Sequence, residues 1–233
     1  MHLLLNHLIR LLSFIVPILI TFTLVILNVR FALNSLELQI ALFDRNNVSA
    51  LSTFSTLELE QIAIQIQNYF NSNSKGLFVV LADRNGGQNL FTANEVAHMS
   101  DVKDLFHFFF ILQTYAVIAI FISTVLLYGF MKSQGSLIAA RWLIAGGMLT
   151  VSVILLVGFI SIVAFDPLFT LFHYVGFPQG NWTFNARTSA LVQVFPLGFW
   201  KDITLIVAGL SVFEALFLIA IGQITRRSKK FNS

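Results

Sequence analysis

The chain contains no cysteine. Segments facing away from the cytoplasm are therefore without disulfides, and thiolate nucleophiles and cysteine-ligated metal sites are excluded. Charge is scarce too: Asp, Glu, Lys and Arg supply 11% of the 233 residues, where a soluble domain carries about 25%. There is no Gly-x-Ser-x-Gly elbow and no His-Glu-x-x-His pair, so neither that serine nucleophile nor that helical zinc site has support. Internal repeats and low-complexity segments are absent as well.

What fills the chain is apolar: 57% of residues are hydrophobic, and 25 are Phe. Four long runs, at 11–29, 107–130, 142–164 and 203–221, account for this. Each approaches or exceeds the ~20 residues that cross a ~30 Å hydrocarbon core as a helix. The first run is longer than a signal-peptide core and no A-x-A site follows it, so it reads as a retained signal-anchor helix. The expected fold is all-α: four transmembrane helices with an extracytoplasmic cap formed by the two outer loops.

The distribution of charge orients these helices. The N-terminus, the 131–141 loop and the C-terminal tail hold Arg10, Lys132, Arg141, Arg226, Arg227, Lys229 and Lys230 and no acid. Ten of the eleven acids lie in the other two intervals between runs, and the eleventh, Glu214, is inside the fourth run. The positive-inside rule places both termini in the cytoplasm. The expected organisation is a cytoplasmic N-terminus and first span (1–31), an extracytoplasmic cap (32–106), the second and third spans with their cytoplasmic loop (107–164), an outer loop with interfacial helices (165–201), and the fourth span with a basic tail (202–233). The tail reads as a topology anchor on anionic lipid, not as a nucleic-acid site.

Ser55-x-x-Glu58 predicts a capping box opening a helix over 56–70, with Leu59, Ile62, Ala63, Ile66 and Phe70 on one face. The alternation of Ile62, Ile64 and Ile66 is a competing strand signal. A β-leaning run at 77–81 and the turn Arg84-Asn-Gly-Gly87 suggest a small hairpin across 77–91. Thr92-x-x-Glu95 is a second capping box, predicted to start a helix running unbroken into the second span. Asp166-Pro167 predicts a cap and first-turn proline for a short interfacial helix, and a further helix is expected near 186–194. Trp182 and Trp200 fit an aromatic belt at headgroup depth.

Two histidines stand out. His98 lies about nine residues before the second span and His173 about nine after the third. Nine helical residues rise roughly 13 Å, a distance that tilt reduces to the lipid ester layer. The two spans share a short loop, so their outer ends are neighbours. Imidazoles exchange protons near neutral pH; the competing reading is two satisfied interfacial side chains. Asp101, one turn after His98, is placed either to orient its imidazole or to serve the helix N-terminus. A metal site of His98, His173 and Asp101 has no close ligand pair behind it. His107 reads as structural, and His2 and His7 face the cytoplasm. Glu214 is costly in mid-span and is expected to face the bundle, toward Tyr128 or a Ser/Thr of the third span, in a hydrogen-bonded role.

Glu95-x-x-His98-Met99-x-Asp101-Val102 before one span resembles the bacterial lipoprotein intramolecular transacylases, and so does Phe172-His173-x-x-x-Phe177-Pro178-x-Gly180-Asn181-Trp182-x-Phe184 after the next, with Phe195-Pro196 downstream. The layout agrees over essentially the whole chain, while 32–90 carries no matching motif. The resemblance implies a bacterial cell-membrane acyltransferase whose partner is a diacylated lipoprotein in membrane lipid. It moves the sn-2 acyl chain of the diacylglyceryl-cysteine onto that residue's α-amino group, and a histidine pair, matching His98 and His173, is responsible. An ammonium is not a nucleophile, so a base is needed, a role assigned to His173. The leaving oxygen needs a proton, from the same imidazolium or from His98. Asn181, Trp182 or protonated His98 are candidate oxyanion donors. No metal or organic cofactor is required. The alternative is a non-enzymatic multi-pass protein whose outer loops bind a partner. Gly146-Gly147 and Gly158 permit close helix packing within one chain or between two, leaving the oligomeric state open.

Overall fold

The computed structural model describes residues 2–81, 84–131 and 134–231. Helices α1 (His2–Asn34), α2 (Leu36–Arg45), α3 (Val48–Leu51), α4 (Thr56–Phe70), α5 (Ala93–Met131), α6 (Gly135–Val163), α7 (Phe165–Gly176), α8 (Ala190–Val194) and α9 (Leu197–Phe231) follow one another, with no strand among the described residues. Of these, α1, α5, α6 and α9 are long and apolar enough to cross a membrane. Their apolar surface is turned outward: Phe14 is 70% exposed, Phe121 68% and Phe213 72%. In water such a surface would be a severe liability, whereas hydrocarbon accepts it. The protein is a multi-pass membrane protein. At 39 residues α5 is roughly 58 Å long, nearly twice the ~30 Å hydrocarbon thickness. Its apolar run begins only at His107, nine residues after His98.

The chain divides into two compact units, one made of the first residues to Val29, Phe109–Phe159 and the chain from Ile206, the other of Arg30–Phe108 and Ile160–Leu205. In the first unit, Val16, Ile20, Leu127 and Trp142 form a core from α1, α5 and α6. Hydrocarbon gives helices no hydrophobic reason to associate, so close backbone contact and polar bonds matter. A Cβ on Gly147 would lie 2.6 Å from the Ala215 carbonyl oxygen, and one on Gly146 would lie 2.8 Å from Ile20. This glycine pair therefore serves two neighbours, α9 and α1, within one chain, while Gly158 meets nothing. Trp142 donates to Ser13 at 2.8 Å and Thr150 to Thr21 at 3.1 Å. Glu214 faces α1, not Tyr128 or the third span: its Oε2 accepts from Asn28 Nδ2 at 2.8 Å, and Asn28 also donates to Ser211 at 3.2 Å. Hydropathy ranks depth but not rotation about the helix axis, and rotation selects the partner.

In the second unit α2 lies on α4. The Ser55–Glu58 capping box forms, with Ser55 N–H donating to Glu58 at 2.7 Å and Glu58 N–H to Ser55 Oγ at 3.3 Å. The helix prevails over the isoleucine alternation, burying Leu59, Ile62, Ala63, Ile66 and Phe70. The expected hairpin at 77–91 is not a ladder. Asn89 takes the place of a strand: its Oδ1 accepts from Val79 N at 3.0 Å and its Nδ2 donates to Leu77 O at 2.9 Å. Only Leu90 N to Val79 O, at 2.8 Å, resembles a ladder bond; residues 82–83 of this segment fall outside the described ones. Lys103, 5% exposed, donates to Tyr69 O at 2.6 Å and Ser74 O at 2.8 Å, pinning the 71–75 loop to α5. His107 bonds Phe70 O at 2.9 Å, a structural contact.

Gly147→Ala should destabilise the fold by about 1–3 kcal/mol, as overpacking does, and lower the unfolding midpoint in detergent. Gly158→Ala should leave that midpoint unchanged or raise it; equal effects at the two sites would refute the close approach of α6 and α9.

Candidate functional site

Two local devices bring His98 into position. The Thr92–Glu95 capping box forms at the start of α5, with Thr92 N–H on Glu95 Oε2 at 2.8 Å and Glu95 N–H on Thr92 Oγ1 at 3.4 Å. Glu95 then reaches beyond its own helix. It is 1% exposed, and its Oε1 accepts from Ser189 Oγ at 2.5 Å and Leu191 N at 3.0 Å. Burial opposes its charge, but the donors from Ser189, Leu191 and Thr92 outweigh burial and hold its pKa below the ordinary value. Ser189 also caps α8, accepting from Val192 N at 3.2 Å. The capping motif was legible in the sequence; this link across nearly a hundred residues was not.

His173 sits in the last turn of α7. That helix is capped at Ala164, so Asp166 and Pro167 fall two residues further into the first turn than their cap-and-proline pattern predicts. Phe177 N–H closes the helix on His173 O at 2.8 Å, and the chain then turns at Gly180, whose φ is +78°. That left-handed conformation suits glycine and delivers Asn181 and Trp182 back to the histidines.

The two imidazoles meet, with ring centroids 5.9 Å apart and planes 29° from parallel. Phe177 at 4.9 Å and Phe184 at 5.7 Å wall His98. Phe169 at 4.2 Å and Trp182 at 5.1 Å wall His173. Exposures of 6% and 8% make both residues buried. His173 Nδ1 is 2.8 Å from Phe169 O. A carbonyl only accepts, so Nδ1 carries the proton and Nε2 the lone pair of the neutral ring. Burial lowers the His173 pKa, against a smaller opposing effect of the Phe169 carbonyl. Burial lowers His98 further, to about 4, reinforced by His173 and only partly opposed by Asp101 and Asn181. Two neutral imidazoles side by side can take up a proton, and a charge on His173 makes a second one on His98 harder to hold.

Asp101 makes no hydrogen bond to His98. Its Oδ2 instead accepts from Asn181 Nδ2 at 2.6 Å and Gln179 Nε2 at 2.7 Å, tying α5 to the turn after α7. Gln179 was not anticipated, and nothing in its type or spacing marks it. Asn181 stands close enough to His98 to favour its charged form, yet no well-formed hydrogen bond joins them: His98 Nδ1, Asn181 Oδ1 and Trp182 Nε1 are all buried without a partner. Among the described residues no three His, Asp or Glu side chains are placed to share a metal ion. A cleft of about 560 Å³ between the end of α6 and the starts of α7 and α9, with Asp166 and Lys201 in its lining, shares no residue with the histidine cluster.

Comparison with solved structures finds the same fold in the membrane integral lipoprotein intramolecular transacylase of Bacillus cereus, with a TM-score of 0.83 at 16% identity over 97% of this chain and 99% of that one. A form of that protein with a histidine replaced by arginine matches with a TM-score of 0.77 at 14% identity, over 99% and 97% of the two chains. A form with a histidine replaced by alanine matches at 0.77 and 15% identity, over 98% of each. An uncharacterised protein of Aquifex aeolicus is 32% identical over 144 residues, which span 62% of this chain and 62% of that relative. The fold is that of an integral membrane transacylase. Residues 14–200 match the family described as lipoprotein intramolecular transacylase Lit, and the chain belongs to that family. It is therefore a membrane enzyme, and the non-enzymatic reading of its outer loops gives way.

Both imidazoles should titrate below 6.5, His98 near 4, in a histidine-labelled NMR titration; a midpoint above 6.5 at either would contradict the burial argument. Because the unfolded chain protonates first, stability should fall as pH drops below 6.5, the His98 contribution levelling off near 4. Glu95→Ala should cost on the order of 3 kcal/mol, since it removes several hydrogen bonds to one buried charge. Amide exchange at 189–194 should quicken with it; unchanged protection there would show that Glu95 serves only its own helix.

Proposed function

We propose that this enzyme moves the sn-2 acyl chain of a diacylglyceryl-cysteine lipoprotein onto the α-amino group of that cysteine, at the extracytoplasmic face of the membrane. Family membership supports the reaction class. The charge asymmetry supports the sidedness: the basic segments face the cytoplasm with both termini, and His98 and His173 lie on the acid-bearing side. The observation that carries the mechanism is the His173 tautomer, since Nδ1–H is held by Phe169 O and Nε2 keeps its lone pair.

In this reading the amine nitrogen attacks the ester carbonyl carbon, and its proton passes to His173 Nε2 as the new N–C bond forms. The carbonyl electrons move onto oxygen, where the unpartnered indole N–H of Trp182 is the available donor. Collapse breaks the bond to the glyceryl oxygen, which takes a proton from the imidazolium, so the histidine is regenerated and no proton is gained or lost overall. The products are an N-acyl cysteine and a free sn-2 hydroxyl. His98, held neutral beside His173, shares the proton traffic. Amine and ester belong to one molecule, so holding them together supplies much of the rate as effective molarity.

Mass spectrometry of lipoprotein N-termini in a host lacking the activity is the test. His173→Ala should lower lyso-form product by about 10²–10⁴-fold, the range for loss of a general base, and His98→Ala should lower it as well. Lyso-form product persisting at normal levels with either folded variant would remove that histidine from the mechanism. An acyl adduct trapped on His173 would replace direct transfer by a covalent intermediate.

A further inference from the structure

Of the five buried side-chain polar atoms without a hydrogen-bond partner among the described residues, three belong to one cluster: His98 Nδ1, Asn181 Oδ1 and Trp182 Nε1. An unmet buried polar group costs about 1–3 kcal/mol, so such a concentration marks a place where a ligand supplies the missing bonds. What the ligand must be follows from which atoms are free.

Asn181 is the informative member, because its amide cannot turn. Asp101 Oδ2 receives Asn181 Nδ2 at 2.6 Å, and Gln179 Nε2 shares the same oxygen at 2.7 Å. A carboxylate only accepts, so flipping the Asn181 amide would set two acceptors face to face. The lock leaves Oδ1, an acceptor, turned away from Asp101 beside His98. The Nε2 lone pair of His173 is a second acceptor, on the ring that stacks on His98 at 5.9 Å. Trp182, 5.1 Å from His173, is a donor only. Two acceptors and one donor complement a neutral primary amine, with its two N–H groups, attacking a carbonyl oxygen-bearing carbon.

We propose that Asn181 recognises the α-amino nitrogen of the substrate, Oδ1 accepting one amine N–H while His173 Nε2 takes the other, which is the proton transferred. Asp101 and Gln179 are positioning residues that keep the Asn181 amide in the accepting orientation. This arrangement rests on the transacylase reading and sharpens it: the site selects an unmodified primary amine and aims its lone pair at the ester. Asn181 is then a reader of the nucleophile, not of the oxyanion, which is left to Trp182.

The experiment measures binding without turnover. Two ligands are compared at pH 9, where an α-amine of ordinary pKa near 8 is neutral: a dialkyl-ether glyceryl-cysteinyl peptide with a free α-amino group, and the same peptide lacking that group. The ether links cannot be transferred. The wild-type protein should bind the amine form about three- to tenfold more tightly, the scale of one net hydrogen bond. Asn181→Leu should bring the ratio to about one while leaving affinity for the des-amino peptide unchanged, and Asp101→Asn should lower the ratio part-way by unlocking the amide. A wild-type-like ratio in Asn181→Leu overturns the proposal. So does loss of des-amino affinity in both Asn181→Leu and Asn181→Ala, which would mean that Asn181 shapes the pocket without reading the amine. Equal binding of both peptides to the wild type overturns the proposal and leaves the transacylase reading standing; binding of neither removes both.

Discussion

One carboxylate oxygen makes the site a site. Asp101 Oδ2 accepts from Gln179 and Asn181 at 2.7 and 2.6 Å, joining α5, which carries His98, to the turn that follows α7, which carries His173. Both bonds are charge-assisted, the stronger kind. Glu95 does the same two turns earlier on α5, holding Ser189 and Leu191 at 2.5 and 3.0 Å. Two acids on one helix thus tie the stretch from Gln179 to Leu191 to it. The chain is poor in acids, and these two are used to tie segments together.

The consequence is electrostatic. Folded against α5, the aromatic side chains Phe169, Phe177, Phe184 and Trp182 remove water from both imidazoles, and desolvation is the first cause of both lowered pKa values. Proximity of the rings adds to it for His98. The backbone then decides what each neutral ring offers: Phe169 O fixes the His173 proton on Nδ1, whereas no partner fixes His98 Nδ1. Two histidines of the same burial therefore have different freedom, the first a committed acceptor at Nε2 and the second able to change tautomer.

Much of the fold was readable from the sequence because the bilayer leaves few options. Backbone in hydrocarbon must satisfy its own hydrogen bonds, which an isolated apolar run of this length does as a helix. The runs at 107–130 and 142–164 thus become the helices Ala93–Met131 and Gly135–Val163, the second ending one residue short of its run. Ser55–Glu58 and Thr92–Glu95 were equally legible, since a capping box is a local bond closed within four residues. What escaped depends on rotation and on distant partners. Asn28 replaces Tyr128 as the neighbour of Glu214 because helix orientation about its axis leaves no trace in hydropathy. Asn89 replaces a strand edge at 77–91 because one amide carries a donor and an acceptor and so mimics a residue of backbone. At the candidate site the histidine motifs were visible, but the partners of Asp101 were not. An acid one turn from a histidine looks like its orienter until the rest of the fold offers that acid two amides.

The same logic explains where stability and reactivity are kept apart. Three unmet polar atoms, one of them on His98 itself, are a local cost. Compensation comes from satisfied polar ties elsewhere in the same unit. Lys103 provides it on one side, its ammonium on Tyr69 O and Ser74 O and 4.2 Å from the Tyr69 ring centroid. Glu95 provides it on another, and Arg45 with Asn46 on Asp202, at 2.9 and 3.0 Å, on a third. All three clamps join segments distant in sequence, and that of Glu95 holds the start of α5 to Ser189 and Leu191. A centre left polar and unsatisfied, in a unit held by satisfied ties, suits the proposed intramolecular transfer. In the proposed reaction the substrate brings nucleophile and electrophile already joined, and what remains to be supplied is fixed acceptors and a dry wall.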